Sequence, residues 1–309
     1  MTLLSICIPT RNRANELKIT LEHFIKEDIF LNSDDIEIVI SDNASDDNTK
    51  EICEPFVNQF PEKIRYFRHE QNIGNDNFPF ILNQARGKFS KLNNDTCYFL
   101  DGKFDEFISI IKDNPDAAAF FVTNEDIEPH LVKCNNSDEF FRATSYFNTW
   151  IGGFCVDTEM FKKLENPTQY AEKKLCQVDI LGRLINNHKS VVINKIYFKI
   201  QCVAKKSGYN VAEVFGKNYL FILKDLMLKK LITGKTYNYI KEDILFKHIN
   251  CCYFDYSKQF NFYKTGYFKF LLKDYWYNFY FYTSFVKSMV AILLYKYDFL
   301  MAIYKKFKK

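Results

Sequence analysis

Short apolar runs that end in polar clusters and alternate with helical patterns constrain this chain most strongly. Such runs cover Leu3–Ile8, Asp35–Ile40 and Lys63–Phe67, and a helical pattern follows each of them. Strands that alternate with helices are typical of β-α-β units, whose strands pair in parallel. The chain is therefore predicted to be an α/β protein with a mostly parallel, doubly wound sheet.

Small polar and charged side chains follow the predicted strands. The clusters are Thr10-Arg11-Asn12, Asp42-Asn43 and Asn93-Asn94-Asp95. Taken alone, the last of them is ordinary turn chemistry. Ligands of open parallel sheets, however, bind beyond the carboxyl ends of the strands. Since all three clusters are predicted to meet on that one rim, the pattern favours a binding site.

The charge of the chain divides it into two parts. Residues 1–200 carry 23 Lys and Arg against 31 Asp and Glu, whereas residues 201–309 carry 19 against 7. A length of 309 residues also exceeds a typical single domain of ~100–200 residues. We therefore predict an α/β domain over residues 1–205 and a basic, helical C-terminal region over residues 206–309.

The C-terminal region is also rich in aromatic residues, with 22 Phe, Tyr and Trp between Tyr253 and Phe307. Aromatic rings beside lysines are typical of a membrane interface, and no nucleic-acid-binding motif is present. The longest uncharged run of this region, Tyr275–Val286, has 12 residues, whereas a spanning helix needs ~20. We therefore predict a helical tail that lies on a membrane surface and ends in the lysines of 305–309. Packing on the first domain or in a dimer is the alternative.

The cysteines and the N-terminus both favour a cytoplasmic protein. The nine cysteines are odd in number and include no Cys-x-x-Cys pair, which predicts reduced thiols rather than disulfides or a zinc site. Met1-Thr2 leads directly into the first predicted strand, without a basic leader.

Four motifs in order carry a family resemblance. They are Ile8–Arg13 (IPTRNR), Ser41–Thr49 (SDNASDDNT), Asn72–Asn77 (NIGNDN) and Gly87–Thr96 (GKFSKLNNDT). Over roughly residues 3–190 the chain resembles the nucleotide-sugar-binding half of family 2 glycosyltransferases, which have the GT-A fold. It is most similar to the bacterial branch of abequosyltransferases and related enzymes of O-antigen, capsule and lipooligosaccharide synthesis. The resemblance implies sugar transfer from a nucleotide diphosphate to an acceptor hydroxyl, with inversion at the anomeric carbon.

The resemblance assigns a set of donor-binding residues. They are Thr10, Arg11, Asn12, Asp42, Asn77, Asn93 and Asn94. Asp42 is implied to read the base or the ribose, since a carboxylate accepts their N–H or O–H groups; its alternative is a turn or helix-capping role. Arg11 is implied to contact a phosphate or the ribose, a role that Arg13 could take instead.

Asp95 matches the last carboxylate of the family's Asp-x-Asp metal motif. This implies Mg²⁺ or Mn²⁺ as the cofactor that holds the diphosphate. The chain departs from the motif, because Asn93 and Asn94 stand at its first and middle positions and bring no charge. A metal site here is therefore weaker than one with two carboxylates, and Asp101 is the nearest other acidic residue.

The second half is predicted to bind the acceptor and to supply the base. Thr149–Phe154 resembles the family's acceptor-side loop. In it, Gly152 and Gly153 allow close approach of the backbone, and Trp150 either stacks on a sugar face or packs in the core.

The segment Gln177–Leu184 resembles the helix that carries the catalytic base. Displacement by a hydroxyl needs a group that accepts its proton, and Asp179 is the predicted base. Arg183, one helical turn later, can pair with it. In an alternative alignment Gln177 occupies the base position, and Asp179 then only stabilises the helix.

Together these features predict an inverting glycosyltransferase. It would be a cytoplasmic protein, peripheral on the inner face of the cell membrane, that acts on a bacterial surface-glycan or lipid-linked acceptor. A nucleotidyltransferase is one alternative, but its first loop normally contains glycines, and Thr10–Arg13 has none. A catalytically weak or inactive nucleotide-sugar-binding subunit of a glycan assembly complex is the other.

Overall fold

The computed structural model describes residues 2–202, 209–254 and 265–279, together with several helical residues between 281 and 297. Contacts divide the chain into two compact units. The first comprises residues 1–204 and 222–237, and the second comprises residues 205–221 and 238–309. The domain boundary at residue 205 stays a prediction.

The first unit alternates strands and helices as predicted. Its strands are β1 (Leu4–Thr10), β2 (Ile36–Asp42), β3 (Ile64–Arg68), β4 (Phe89–Leu92), β5 (Cys97–Phe99), β6 (Ala119–Val122), β7 (Leu131–Cys134), β8 (Phe154–Asp157), β9 (Ser190–Ile193) and β10 (Phe198–Ile200). Its helices are α1 (Ala14–Phe24), α2 (Asp28–Asn32), α3 (Thr49–Gln59), α4 (Asn77–Asn83), α5 (Lys103–Asp113), α6 (Ser137–Thr144), α7 (Thr158–Lys162) and α8 (Cys176–Leu184).

Within residues 2–202, one eight-stranded sheet has the order β3-β2-β1-β4-β8-β6-β9-β7. The first four strands of that order are parallel, and β6 is parallel to β9. β8 is antiparallel to both of its neighbours, and β7 is antiparallel to β9. β5 and β10 form a separate antiparallel pair. The α/β class is confirmed, with antiparallel pairing confined to the second half of the sheet.

The central strands are buried along their whole length because helices cover the sheet. Every residue of β1 and β2 is buried, as expected of parallel strands with both faces covered. On one face, β1 packs against Leu17, Leu21 and Phe24 of α1 in the main hydrophobic core. At about 25 cal/mol per Å² of buried apolar surface, such packing is the main contribution to stability.

The strand ends meet as predicted. Thr10 at the end of β1 pairs with Asp42 at the end of β2. The ladder between β1 and β4 ends at the pair Cys7–Leu92, so Asn93 and the residues after it continue along the same edge. The first strand runs through Pro9 to Thr10, beyond the predicted apolar run Leu3–Ile8. The proline is tolerated because β1 has no β4 partner at that point, and its missing N–H interrupts no hydrogen bond there.

The second unit is helical in its described residues. Helices α9 (Tyr219–Leu228) and α10 (Gly234–Ile244) each belong partly to it, and α11 (Asn250–Phe254) and α12 (Tyr267–Tyr275) belong wholly to it. Two π-helical turns, Ala212–Asn218 and Leu245–Ile249, complete it. The predicted helical C-terminal region is therefore present.

Helix α12 buries one of its faces within the second unit. That face presents Tyr267, Leu271 and Tyr275. Leu271 lies so close to Gly216 that a Cβ on this glycine would approach its Cδ2 to 2.1 Å, and the Tyr275 hydroxyl donates to the Lys241 carbonyl at 2.6 Å.

No helix in the described part of the chain is long and apolar enough to cross a membrane. Residues 203–208, 255–264 and 298–309, which include the lysines at the end of the predicted interfacial tail, lie outside the described residues.

Candidate active site

The polar rim at the carboxyl ends of β1, β2 and β4 contains the predicted donor-binding residues. Asp95 is its centre. The Thr10 hydroxyl donates to Asp95 Oδ2 at 2.9 Å, and Arg13 Nη1 donates to Asp95 Oδ1 at 2.7 Å. The Thr20 hydroxyl donates to the Asp95 carbonyl at 2.9 Å. Both carboxylate oxygens of Asp95 are thus held by residues at the start of the chain.

Asp95 is only 3% exposed, whereas 26% of the Arg13 side chain is accessible. Burial raises the pKa of Asp95 above its ordinary value, while Arg13 and the Thr10 hydroxyl favour the ionised form. A guanidinium at 2.7 Å is a charge-assisted contact. Arg13 and Asp95 therefore form a buried ion pair that opens to solvent only on the arginine side.

The first two rim loops are tied to each other through Asn12. Its backbone N–H donates to the Ser45 hydroxyl at 3.0 Å, and its side-chain oxygen accepts the Asp46 N–H at 2.7 Å. Asn12 has a φ of 53°, a left-handed conformation that asparagine tolerates better than most residues. Arg11 is more exposed and lies 3.9 Å from Asp46. Asn12 thus sets the shape of the rim, and Arg11 presents a cation on it.

Asp42 is fully buried, and both oxygens of its carboxylate accept hydrogen bonds from neighbouring residues. Oδ1 accepts the Ser45 N–H at 2.8 Å, and Oδ2 accepts the Tyr66 hydroxyl at 2.6 Å. Arg68 Nη1 lies 3.5 Å from Oδ2. Burial and this hydrogen bond raise the pKa of Tyr66, which stays a donor. The structure displays the turn-forming role of Asp42, and its contact with a nucleoside stays a prediction.

Asn77, also buried, fastens α4 to β2. Its Oδ1 accepts the Ser41 hydroxyl at 2.5 Å, and its Nδ2 donates to the Ser41 carbonyl at 3.2 Å. His69 Nε2 lies 3.1 Å from the same Oδ1. Asn77 therefore holds the start of α4 against the end of β2. A nucleotide contact for Asn77 remains a prediction.

Lys91, which the sequence does not single out as functional, is fully buried beneath the rim. Its Nζ donates to the Leu92 carbonyl at 3.0 Å, to Asn93 Oδ1 at 3.1 Å and to the Gly152 carbonyl at 2.8 Å. Burial lowers the pKa of Lys91 to about 8. Asn93 is buried as well, and its Nδ2 donates to the Asn94 and Cys97 carbonyls. Lys91 thus joins the Asn93 corner to the predicted acceptor-side loop.

The acceptor-side loop is closely packed around its two glycines. A Cβ on Gly152 would lie 2.3 Å from the Trp150 ring, and one on Gly153 would lie 2.3 Å from the Val122 carbonyl. The Trp150 ring also meets Phe198 at a centroid distance of 5.6 Å and an angle of 73°. The indole therefore packs against the loop and the core, and a sugar contact for it stays a prediction.

Asp179 lies on α8 with no exposed surface. Its Oδ2 accepts Gln169 Nε2 at 2.7 Å and Arg183 Nε and Nη2 at 2.9 and 2.6 Å. Its Oδ1 is buried without a hydrogen-bond partner among the described residues. The predicted pairing of Asp179 with Arg183 is present, and in the described part of the chain nothing donates to the other carboxylate oxygen.

Gln177, the other candidate on α8, contacts the acceptor-side loop directly. Its Nε2 donates to the Thr149 carbonyl at 2.7 Å. The contacts therefore connect the corner at Asn93, the loop at Gly152 and helix α8 through Lys91 and Gln177. The hydrogen bonds of Asp179 do not reach the Asp95 cluster.

The side chains around Asp95 do not form a divalent metal site. Mg²⁺ and Mn²⁺ prefer about six oxygen ligands, among them carboxylates. Both Asp95 oxygens are already bonded to donors, and the Asn93 oxygen accepts from the ammonium of Lys91. In the described part of the chain, no three His, Cys, Asp or Glu side chains are grouped to hold a metal. The predicted Mg²⁺ or Mn²⁺ stays a prediction that this donor set does not favour.

Solved structures of other proteins share the fold of this chain. TarS 1–349 of S. aureus superposes with a TM-score of 0.58 at 14% identity, covering 84% of this chain and 76% of that one. The same protein in complex with UDP-GlcNAc gives 0.58 at 15% identity, with 89% and 75% covered. Mannosyltransferase PcManGT from Pyrobaculum calidifontis, in complex with GDP-Man and Mn²⁺, gives 0.55 at 13% identity, with 80% and 70% covered. The fold is that of the GT-A glycosyltransferases.

The family follows from the sequence. Residues 5–164, more than half of the chain, match the model of glycosyl transferase family 2. The chain belongs to this family, as its motifs predict. It is also 40% identical over 88 residues to abequosyltransferase RfbV of Salmonella typhimurium, a match that spans only 28% of this chain and 26% of that relative.

Proposed function

We propose that this glycosyltransferase moves a sugar from a nucleotide-diphosphate donor to a hydroxyl of a bacterial surface-glycan or lipid-linked acceptor, with inversion. The observation that carries the proposal is the rim at the ends of β1, β2 and β4, where Thr10, Arg13 and Asp95 form one bonded cluster. The partial similarity to an abequosyltransferase supports a surface glycan. The complex of TarS with UDP-GlcNAc supports a nucleotide-sugar donor.

The transfer requires a base on the acceptor side. The acceptor oxygen forms a bond to the anomeric carbon, the bond to the diphosphate oxygen breaks with its electron pair, and the hydroxyl proton passes to the base. We assign this proton to Asp179, because the amide of Gln177 is not basic at neutral pH. Gln169 and Arg183 hold Oδ2 of Asp179, so Oδ1 is the oxygen left for the proton.

Asp179→Asn tests this assignment. Transfer from a panel of nucleotide sugars should be abolished while binding of the nucleoside diphosphate is retained. Arg183→Gln is the matched control, because it breaks the same ion pair but keeps the carboxylate. If both variants lose transfer and stability equally, Asp179 only stabilises the helix. If Asp179→Asn keeps the wild-type rate, the base lies elsewhere.

We further propose that the protein is cytoplasmic and contacts the membrane surface through its second unit. The face of α12 next to its buried one exposes Phe268 and Leu272, and Trp276, the residue that follows the helix, is 63% exposed. Lys269 and Lys273 are exposed on the same helix. Apolar rings beside lysines suit the interface of an anionic bilayer.

Co-sedimentation with vesicles of phosphatidylglycerol, and of phosphatidylcholine as the neutral comparison, tests this contact. The double variant Phe268→Ser with Trp276→Ser should lose binding to the anionic vesicles. Leu31→Ser, which removes an equally exposed apolar side chain of the first unit, should not. Binding that persists in the double variant would refute the contact, and a monomer produced from a wild-type dimer would assign this face to a dimer interface.

A further inference from the structure

The position of Arg13 raises the question of what neutralises the donor's diphosphate. Arg13 Nη1 lies 2.7 Å from Asp95 Oδ1, which places a permanent positive charge against the one carboxylate that the metal motif retains. A divalent ion bound to Asp95 would meet this guanidinium at contact distance. A metal ion at Asp95 Oδ1 would share that oxygen with the guanidinium, and the two positive charges would repel each other.

Two further oxygens of this corner already accept hydrogen bonds. Thr10 donates its hydroxyl to the second oxygen of Asp95. The Asn93 side-chain oxygen, which stands at the first position of the metal motif, accepts from Lys91 Nζ instead. Oxygens that accept from cations are poor ligands for another cation, because the like charges repel. The cations that bond Asp95 Oδ1 and Asn93 Oδ1 are the side chains of Arg13 and Lys91.

Arg13 retains donors for a further ligand. In the described part of the chain its side chain donates through Nη1 alone, to Asp95. Nε and Nη2 remain, and 26% of the side chain is accessible. A guanidinium has five N–H donors in a planar fork that matches two phosphate oxygens, and it keeps its charge at any ordinary pH. Arg11, which is 41% accessible, adds a second cation on the adjacent loop.

We propose that Arg13 takes the place of the divalent cation in this enzyme and binds the diphosphate of the donor, with Asp95 as the positioning residue that holds Arg13. The inference rests on the proposed function. Asp95 fixes one edge of the guanidinium, and the free edge meets the phosphates through charge-assisted hydrogen bonds. Binding of a nucleoside diphosphate is therefore independent of divalent metal.

Calorimetric titration of the full-length protein with UDP, GDP, CDP and thymidine diphosphate, in EDTA and in Mn²⁺, tests this directly. The expected result is that at least one of them binds, with an affinity in EDTA within about twofold of that in Mn²⁺. Binding that is lost in EDTA and restored by Mn²⁺ overturns the inference but leaves the proposed function intact. If none binds in either buffer, the proposed function fails, and the inference fails with it.

Variants of Arg13 then test whether its positive charge is the one that binds the diphosphate. Arg13→Gln should weaken binding by at least tenfold, the loss expected for a charge-assisted hydrogen bond to phosphate. Arg13→Lys keeps the positive charge but loses the planar set of guanidinium donors, so it should recover part of the lost affinity. Arg86→Gln is the control, because this exposed arginine precedes β4 and lies at the opposite edge of the sheet. Unchanged affinity in a folded Arg13→Gln protein would refute the role of Arg13.

Asp95→Asn separates positioning from metal binding. A positioning role predicts a smaller loss of affinity than in Arg13→Gln, with binding still indifferent to EDTA. If Asp95 instead held a metal, Mn²⁺ would strengthen binding to the wild type, and Asp95→Asn would lose that gain. The wild-type titration in EDTA decides the question even if one of the variants fails to fold.

Discussion

The buried ammonium of Lys91 makes the stability of this protein depend on pH in a defined way, and Lys91→Met tests it. Methionine has nearly the same length but no charge and no donor. The substitution leaves the Leu92 and Gly152 carbonyls and Asn93 Oδ1 without the ammonium that now bonds them. Each buried acceptor left unpaired costs about 1–3 kcal/mol, so we expect Lys91→Met to be the less stable protein at pH 7.

The pH dependence gives the sharper prediction. Burial lowers the pKa of Lys91 from 10.5 to about 8. Between these two values the unfolded chain binds the proton and the native protein does not, so native stability rises with pH across this window. From pH 7 to pH 9, the contribution of Lys91 to the free energy of unfolding should increase by about 1.3 kcal/mol. The methionine variant lacks this contribution.

The titratable groups that act on Lys91 are the thiols of Cys7, Cys97 and Cys155. Burial raises the pKa of Cys7 above this window and that of Cys155 to about 12, so these two remain neutral at pH 9. All three thiols are also present in the variant. The difference between the two proteins therefore isolates the ammonium of Lys91.

Urea unfolding of wild type and Lys91→Met at pH 7 and pH 9 measures the effect. The gap between their free energies of unfolding should widen by about 1.3 kcal/mol at the higher pH. Lys88→Met, which removes a partly exposed lysine just before β4, should show no such change. Parallel pH profiles for wild type and Lys91→Met would refute the argument that this ammonium is buried and charged at pH 7.

Two further predictions concern other parts of the molecule. Gly153→Ala places a Cβ 2.3 Å from the Val122 carbonyl, so it should lower stability by about 1–3 kcal/mol, visible as a lower thermal midpoint; an unchanged midpoint would show that the loop can move aside. Burial lowers the pKa of His248 to about 4, so native stability should fall as pH drops from 6.5 towards 4, where the unfolded chain alone binds the proton, by up to about 3 kcal/mol. His248→Gln should remove that part of the acid sensitivity in urea titrations at pH 7 and pH 5, and an unaltered acid profile would contradict the burial of His248.

The residues of the rim could be predicted because each of them directly follows an apolar run in the sequence. An apolar run such as Leu4–Ile8 can only be a buried strand next to helices of this length, and the polar residues after it must then lie at its carboxyl end. Parallel pairing follows from the intervening helices. The positions of Thr10, Asp42 and Asp95 at one edge are therefore consequences of pattern and chain direction alone.

Two elements escaped prediction because they carry little apolar signal. Residues 124–140 are mostly polar, yet they contain β7 and the start of α6. β7 is the last strand of the sheet order and is mostly exposed. A strand at the edge of a sheet whose side chains are mostly exposed need not alternate apolar and polar residues. The sequence therefore gives no reason to expect β7.

The partners of the charged side chains escaped prediction for a different reason. Arg13 and Asp95 are 82 residues apart in the sequence, and Lys91 meets the Gly152 carbonyl across 61 residues. Such pairs are set by the final packing of the loops, which no local pattern encodes. Lys91 in particular reads as one polar residue near a strand end, and only its burial shows that it is bonded on three sides.

Lys91 also explains how the two halves of the active site are held together. Asn93 belongs to the predicted donor side and Gly152 to the predicted acceptor loop, and one ammonium bonds both. Phe99 and Phe198 enclose that ammonium, with ring centroids 5.6 and 4.6 Å from Nζ, and such cation–π contacts favour the charged form. Because the bonds converge on a single atom, a displacement of the acceptor loop must strain the Asn93 corner as well. The predicted donor and acceptor sides therefore keep a fixed spacing, which is the condition under which a hydroxyl can be aligned with an anomeric carbon.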